Sequence, residues 1–231
     1  MLSSMGRPRE HDDKTREQLL AAAERLIIEG GPDALSVRGV ADKAGTSTRA
    51  VYSIFGSKDG LVAALAQVAY DWLYHAVDQI PETDDPAADL ITIGLDVFRR
   101  FVRDHPALYR IAYQRVVGLW PEPDLVTTRE RTFTQLQERV RRLADAGLLG
   151  HKPVLEATVE LIAMFEGLAN AELRGRVLPT IPAGDEEHAW QEGLATLLRG
   201  LTTAPAPGGD DGPRTTSSQA PRRSTRAADR R

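Results

Sequence analysis

Residues 37–61 read VRGVADKAGTSTRAVYSIFGSKDGL, and this stretch decides the fold. Two short helices joined by a tight turn can cross closely only if three positions suit the crossing. Ala41 supplies a small residue where the helices meet. Gly45, four positions on, tolerates the left-handed backbone that the turn demands. Val51, six positions further, faces back to the core, and Val40, Ala44 and Phe55 complete the buried face. Ser36 is placed to cap a helix over Val37–Ala44, and Ser47 one over Thr48–Phe55. After the breaker Gly56, Ser57 is placed to cap a long helix reaching about Ile80.

The second helix of such a pair fits the major groove of DNA. Thr48, Arg49 and Ser53 fall on the face away from Val51 and Phe55. Arg49 can donate a bidentate pair to a guanine edge, and the hydroxyls can serve several bases. Ser47, Tyr52 and Lys58 are placed to donate to phosphates. Ser36 and Arg38, at the start of the first helix of the pair, join them as candidate DNA contacts. Backbone N–H groups at both helix N-termini add anion affinity.

Working outward, helical periodicity dominates. Upstream, Leu19, Ala22, Ala23, Leu26 and Ile27 form one stripe of a helix from about Asp13 to Glu29, ended by Gly30-Gly31-Pro32. Downstream, helices are expected over Pro86–Asp104, Ala107–Arg115, Asp124–Ala146, Pro153–Arg174 and Asp185–Leu201, with a GLWPEP loop at 118–123. No strand-type alternation bounded by hairpin turns occurs. The fold class is therefore all-α: an N-terminal three-helix helix-turn-helix DNA-binding domain and a C-terminal helical ligand-binding and dimerisation domain. The expected divisions are a flexible N-terminus at 1–11, the DNA-binding domain at 12–60, the regulatory and dimerisation domain at 61–202, and a tail at 203–231. The tail is rich in Pro, Gly, Ser, Thr and Arg and reads as disordered. Its six Arg could add nonspecific contact with DNA, against the blander reading of a solvated tail.

Charge is distributed unevenly over the 231 residues. The net charge of −4 argues against a nucleic-acid partner until it is resolved by segment. Residues 1–60 balance nine basic against nine acidic side chains, whereas 61–200 carry fourteen against twenty-one. Within 36–58, Arg38, Lys43, Arg49 and Lys58 face Asp42 alone, so the segment assigned to DNA is locally basic. The absence of cysteine excludes disulfides, thiol catalysis and cysteine-type zinc sites. No apolar run approaches the ~18 residues of a membrane span, and the N-terminus lacks a signal-peptide pattern. A cytoplasmic protein with no cofactor, no metal and no membrane partner is expected.

The body supplies two further expectations. Phe98, Phe101, Tyr109, Tyr113, Trp120, Phe133 and Phe165 are candidates to line a small-molecule pocket between helices, although aromatics at helical spacing are more often core. The helix at 153–174 is apolar nearly all round and must be covered on two sides. With the last helix it is expected to form a four-helix dimer interface through Leu161, Phe165, Leu168, Trp190, Leu194, Leu197 and Leu198. The competing reading is that both are core helices of a monomer.

From about Asp12 to Leu65, the pattern LLAAAERLIIEGG and the segment VRGVADKAGTSTRAVYSIFGSKDGL resemble the TetR family of bacterial regulators. RDHPALYRIAY and MFEGLANAELRG are similar to a regulatory-domain subtype found in some TetR-like proteins. The resemblance implies an all-helical homodimer that binds a double-stranded operator, usually as a repressor, and leaves it when a small molecule enters the body. Two positions depart from the pattern. Gly39 stands where the family often has Glu, which removes a capping-box partner of Ser36 worth about 1 kcal/mol at most. Ile54 stands where a polar or aromatic residue is common.

Catalysis is the first rival reading. The five histidines are scattered, no i, i+4 pair is placed for a metal, and no G-x-S-x-G or P-loop spacing occurs. The second rival is a structural dimer whose head has lost DNA affinity. The presence of Arg49, Tyr52 and Lys58 argues against it.

Overall fold

In the computed structural model we describe residues 7–114, 122–174 and 185–203. Ten α-helices and two π-helical segments account for most of them. Trp120, residues 1–6 and the tail beyond Thr203 lie outside the described residues.

The head is built by α1 (Arg7–Gly30), α2 (Val37–Ala44) and α3 (Thr48–Phe55). α1 starts earlier than the Asp13 expected from sequence, so the segment expected to be flexible is helical from Arg7. Pro8 falls in the first turn, where a missing N–H breaks no helical hydrogen bond, and it therefore does not stop the helix. Leu19, Ala22, Ala23 and Ile27 of α1 are fully buried against Leu35, Val40, Ala41 and Val51. The stripe read from sequence is thus the head's core.

α4 (Lys58–Asp78) leaves the head and runs along α8 (Pro123–Asp145) in the body. Its Leu61 and Leu65 close the head core, while Tyr70, Leu73 and Val77 belong to the body, and one apolar cluster spans both. The C-terminal carbonyls of α4 are capped by a buried guanidinium: Arg139 of α8 donates to Val77 O at 3.1 Å and Ile80 O at 2.8 Å.

The body continues with α5 (Pro86–Thr92), a π segment (Ile93–Arg99) and α6 (Arg100–Asp104) in one unbroken run. α7 (Pro106–Tyr109) passes into a second π segment (Arg110–Gln114). α9 (Val154–Leu173) and α10 (Glu186–Thr203) complete it. A 3.6-residue periodicity cannot distinguish a π turn from an α turn, so the two widened segments were not foreseen. Gly94, in the first of them, packs against side chains of both α9 and α10. A Cβ there would press on Leu194 and lie 2.8 Å from a ring carbon of Phe165. α7 touches both α1 and α4, which makes it the body's second contact with the head. No helix among the described residues is long and apolar enough to cross a membrane.

Candidate nucleic-acid interface and effector cavity

Three serines set the geometry of the head. The backbone N–H groups of Gly39, Ala50 and Gly60 donate to the side chains of Ser36 (3.1 Å), Ser47 (3.2 Å) and Ser57 (2.9 Å). Each serine has extended backbone and starts its helix as read from sequence. Between α2 and α3, Gly45 adopts φ 68° and ψ 33°, the left-handed conformation that the turn needs. Ala41 and Val51 are fully buried at the crossing.

All eight residues expected to contact DNA are exposed: Ser36, Arg38, Ser47, Thr48, Arg49, Tyr52, Ser53 and Lys58. Thr48, Arg49, Tyr52 and Ser53 lie on one side of α3, opposite buried Val51. Arg38 makes an exposed i, i+4 pair with Asp42 at 3.8 Å, too solvated to hold it firmly. Lys43 is tied to Glu29 of α1 and is taken out of the basic set. Ile54 is half-buried against the core and faces away from that surface. At Gly39 a Cβ would lie 2.9 Å from Ser36 Oγ and 3.3 Å from a methyl of Leu26, so the glycine allows α1 and α2 to pack closely.

In the body a cavity of about 300 Å³ opens between α4, the two π segments, α8 and α9. Its wall is mostly apolar and aromatic, with Leu73, Val77, Ile93, Val97, Phe98, Leu136, Ile162 and Phe165. The polar groups on it are Tyr70, Tyr113, Thr132, Arg129 and Glu166. Tyr70 donates to Ala112 O at 3.3 Å, and Thr132 to Thr128 O at 2.9 Å. Burial pushes the Tyr70 phenol up to about 12 and the Tyr113 phenol well above its ordinary value. Both rings are therefore neutral hydrogen-bonding groups at any physiological pH. Burial also raises the Glu166 carboxyl, for which no hydrogen bond or ion pair is found among the described residues.

Residues 19–65 match the family described as bacterial regulatory proteins, tetR family, and residues 90–197 match the tetracyclin repressor-like C-terminal domain. This chain belongs to the tetR family. The HTH-type transcriptional repressor KstR2 of Mycolicibacterium smegmatis is 29% identical over 119 residues, which cover 50% of this chain and 58% of the relative. The chain thus spans less than two thirds of that protein. The HTH-type transcriptional activator FasR of the same organism is 29% identical over 66% of this chain and 69% of its own length. The crystal structure of PfmR, a TetR family transcriptional regulator from Thermus thermophilus, superposes with a TM-score of 0.62 at 24% identity. That match covers 79% of this chain and 98% of PfmR, and it shows the shared fold. These relatives are transcriptional regulators and not enzymes.

On this tetR-family body the aromatic expectations divide. Phe98, Tyr113, Phe133 and Phe165 line the cavity. Phe101 and Tyr109 do not. Phe101 is fully buried against Trp72, at 5.3 Å between rings, and near His105. Tyr109 is stacked behind Tyr113 at 5.3 Å. Helical spacing put all of them on inward faces, but only packing decides which inward face meets a void. Sequence reasoning missed Tyr70, Leu73 and Val77, whose i, i+3, i+7 spacing on α4 was a usable signal. It also missed Arg129 and Glu166, which a helix pattern reads as solvated.

The residues expected at a dimer interface are largely buried within one protomer. Leu161, Phe165, Trp190, Leu194 and Leu198 are between 0% and 3% exposed within one protomer, so they form its own core. Leu168 and Leu197 are half-buried beside them. The free face of α9 is a different ridge, with Leu155 54% and Val159 52% exposed, followed by Ala163 and Gly167 at the same i+4 spacing. A helix apolar on all sides offers two stripes, and the one named from sequence is the one that the protomer's own core covers.

Proposed function

We propose that the chain works in the cytoplasm as a homodimeric repressor, which binds a near-palindromic operator and leaves it when a small molecule fills the body cavity. One observation carries this reading. α4 forms part of the cavity wall through Tyr70, Leu73 and Val77, and its N-terminus is joined to the end of α3 across Gly56, where the Ser57 N–H donates to Phe55 O at 2.8 Å. A ligand that favours one position of α4 therefore biases the position of the groove-reading helix. Two heads about 34 Å apart would occupy successive major grooves.

Site selection from a random DNA pool at stated salt tests the reading. Recovery of a palindrome with half-sites about one turn apart supports it. Recovery of single half-sites overturns the dimeric operator. On the selected site, Arg49→Ala is expected to cost about 1–3 kcal/mol and to relax preference at one base pair, whereas Lys58→Ala weakens all sequences alike. Binding curves on single-base variants of the site distinguish the two roles.

The exposed α9 ridge is the surface we assign to dimerisation. Its small residues Ala163 and Gly167 let a partner helix approach closely, and Leu155 and Val159 supply apolar area. Val159→Glu places an unpaired carboxylate in that contact. Sedimentation should then show monomer, with the dimer dissociation constant raised at least about a hundredfold. An unchanged dimer would move the interface elsewhere.

A further inference from the structure

Glu166 stands on the wall of a mostly apolar cavity that Arg129 also lines, and among the described residues its carboxyl has no hydrogen bond or ion pair. Rings on this wall form a connected aromatic surface. Tyr113 lies 5.7 Å from Tyr70 and 5.4 Å from Phe98, and Phe98 stacks on Phe165 at 5.2 Å. Glu166 shares this wall with Tyr70, Tyr113, Phe98 and Phe165.

The geometry points to a lipophilic cation, an aromatic or alicyclic body bearing one ammonium or amidinium group, as the ligand of this cavity. Glu166 is its counter-ion, and the faces of Tyr113, Tyr70 and Phe98 surround the charged group. The inference rests on reading the cavity as the effector site, and it names the chemistry that site takes.

Three considerations select a cation over its alternatives. The desolvation of Glu166 is already imposed by the fold, so an incoming positive charge restores a partner that water no longer supplies. Aromatic faces attract cations through their quadrupole, and the attraction strengthens where water is excluded. An anion would have to lie beside Glu166; Arg129, the one positive group on the wall among the described residues, acts on Tyr70 but is exposed on α8, where solvent weakens its hold on a ligand. A cavity of about 300 Å³ has room for a bicyclic ring system.

One scaffold with three head groups tests the proposal: 1-naphthylmethylamine, 1-naphthylmethanol and 1-naphthoic acid, titrated into the full chain by calorimetry at neutral pH. The amine is expected to bind about tenfold tighter than the alcohol, with the acid weakest. Glu166→Gln is expected to remove that preference in a protein that still melts cooperatively and sediments as the wild type does. Equal binding of amine and alcohol overturns the proposal, as does tightest binding of the acid, which would make Arg129 the reader. So does a preference that survives Glu166→Gln, a change of oligomeric state in that variant, or failure of all three compounds to bind. Operator release is measured separately. An amine that binds with the stated preference but leaves DNA occupancy unchanged leaves the ligand class standing and overturns the effector reading.

Discussion

Gly60→Ala should cripple the head while leaving the body intact. Gly60 sits in the first turn of α4, directly over the end of α3. A Cβ there would fall inside the van der Waals envelope of the Phe55 carbonyl oxygen and only 3.2 Å from its carbon. The obstacle is backbone, so no side-chain rotation relieves it. The carbonyl cannot move freely either, because it accepts the N–H of Ser57 at 2.8 Å across Gly56. Gly56 itself holds φ 72° and ψ −47°, a tight turn of positive φ that an L side chain rarely adopts. We expect a cost of about 1–3 kcal/mol. Since α3 is only eight residues long, the cost falls on its last turn and on the placement of Arg49 and Tyr52. Operator affinity should drop about ten- to a hundredfold. Hydrogen exchange should rise at Tyr52–Gly56, with the calorimetric response of the body cavity unchanged. Gly200→Ala is the matched control. Nothing lies within 4 Å of a Cβ there, so this helical glycine should accept the methyl with no loss and a gain of at most about 1 kcal/mol. Wild-type operator binding by Gly60→Ala would show that the α3–α4 junction yields without penalty.

Glu172→Ala should give the largest loss of global stability. Arg99, whose side chain is only 9% exposed, holds Glu172 through Nε at 3.0 Å and Nη2 at 3.3 Å. The indole N–H of Trp190, a fully buried residue, donates to the same carboxylate at 2.8 Å. One acidic side chain therefore ties the first π segment, α9 and α10 together. Removing it strands a buried guanidinium and a buried N–H, and breaking such a pair from one side costs about 3–5 kcal/mol. Glu187 also pairs with Arg99, at 3.1 Å, but it is 72% exposed and can offset only part of the loss. The low end, about 3 kcal/mol, is therefore expected, which lowers the melting temperature by about 6–12 °C for a chain of this size. Glu187→Ala should change stability by less than about 1 kcal/mol. If thermal melts of the two variants coincide, the network is not organised around Glu172.

Much of the head was legible because its determinants are local. A serine followed three residues later by a free backbone N–H caps a helix whatever the rest of the chain does, and Ser36, Ser47 and Ser57 each do so. The conformation of Gly45 follows from the turn it occupies, and the burial of Val51 from a helix that has one apolar stripe. The body was legible only to the level of helices. Leu161 and Val159 are both aliphatic residues on α9, two positions apart, yet one is fully buried and the other 52% exposed. Nothing in a helix that is apolar all round distinguishes them, because the choice of inward face belongs to its neighbours.

The cavity shows the same limit. Phe98 and Phe101 stand one turn apart, and only Phe98 meets the void. Glu166 reads in sequence as one more charged residue on a helix. Its position on an apolar wall depends on α8 and α4 closing over it. By itself the sequence determined the helical class, the serine caps of the head, the exposed face of α3 and the family, because these depend on residues within a few turns of each other. Only the tertiary structure decided where the void lies, which stripe of α9 remains free and which carboxylate lacks a partner. Those are properties of the space between elements, and that space is set by packing over distances that no local pattern encodes.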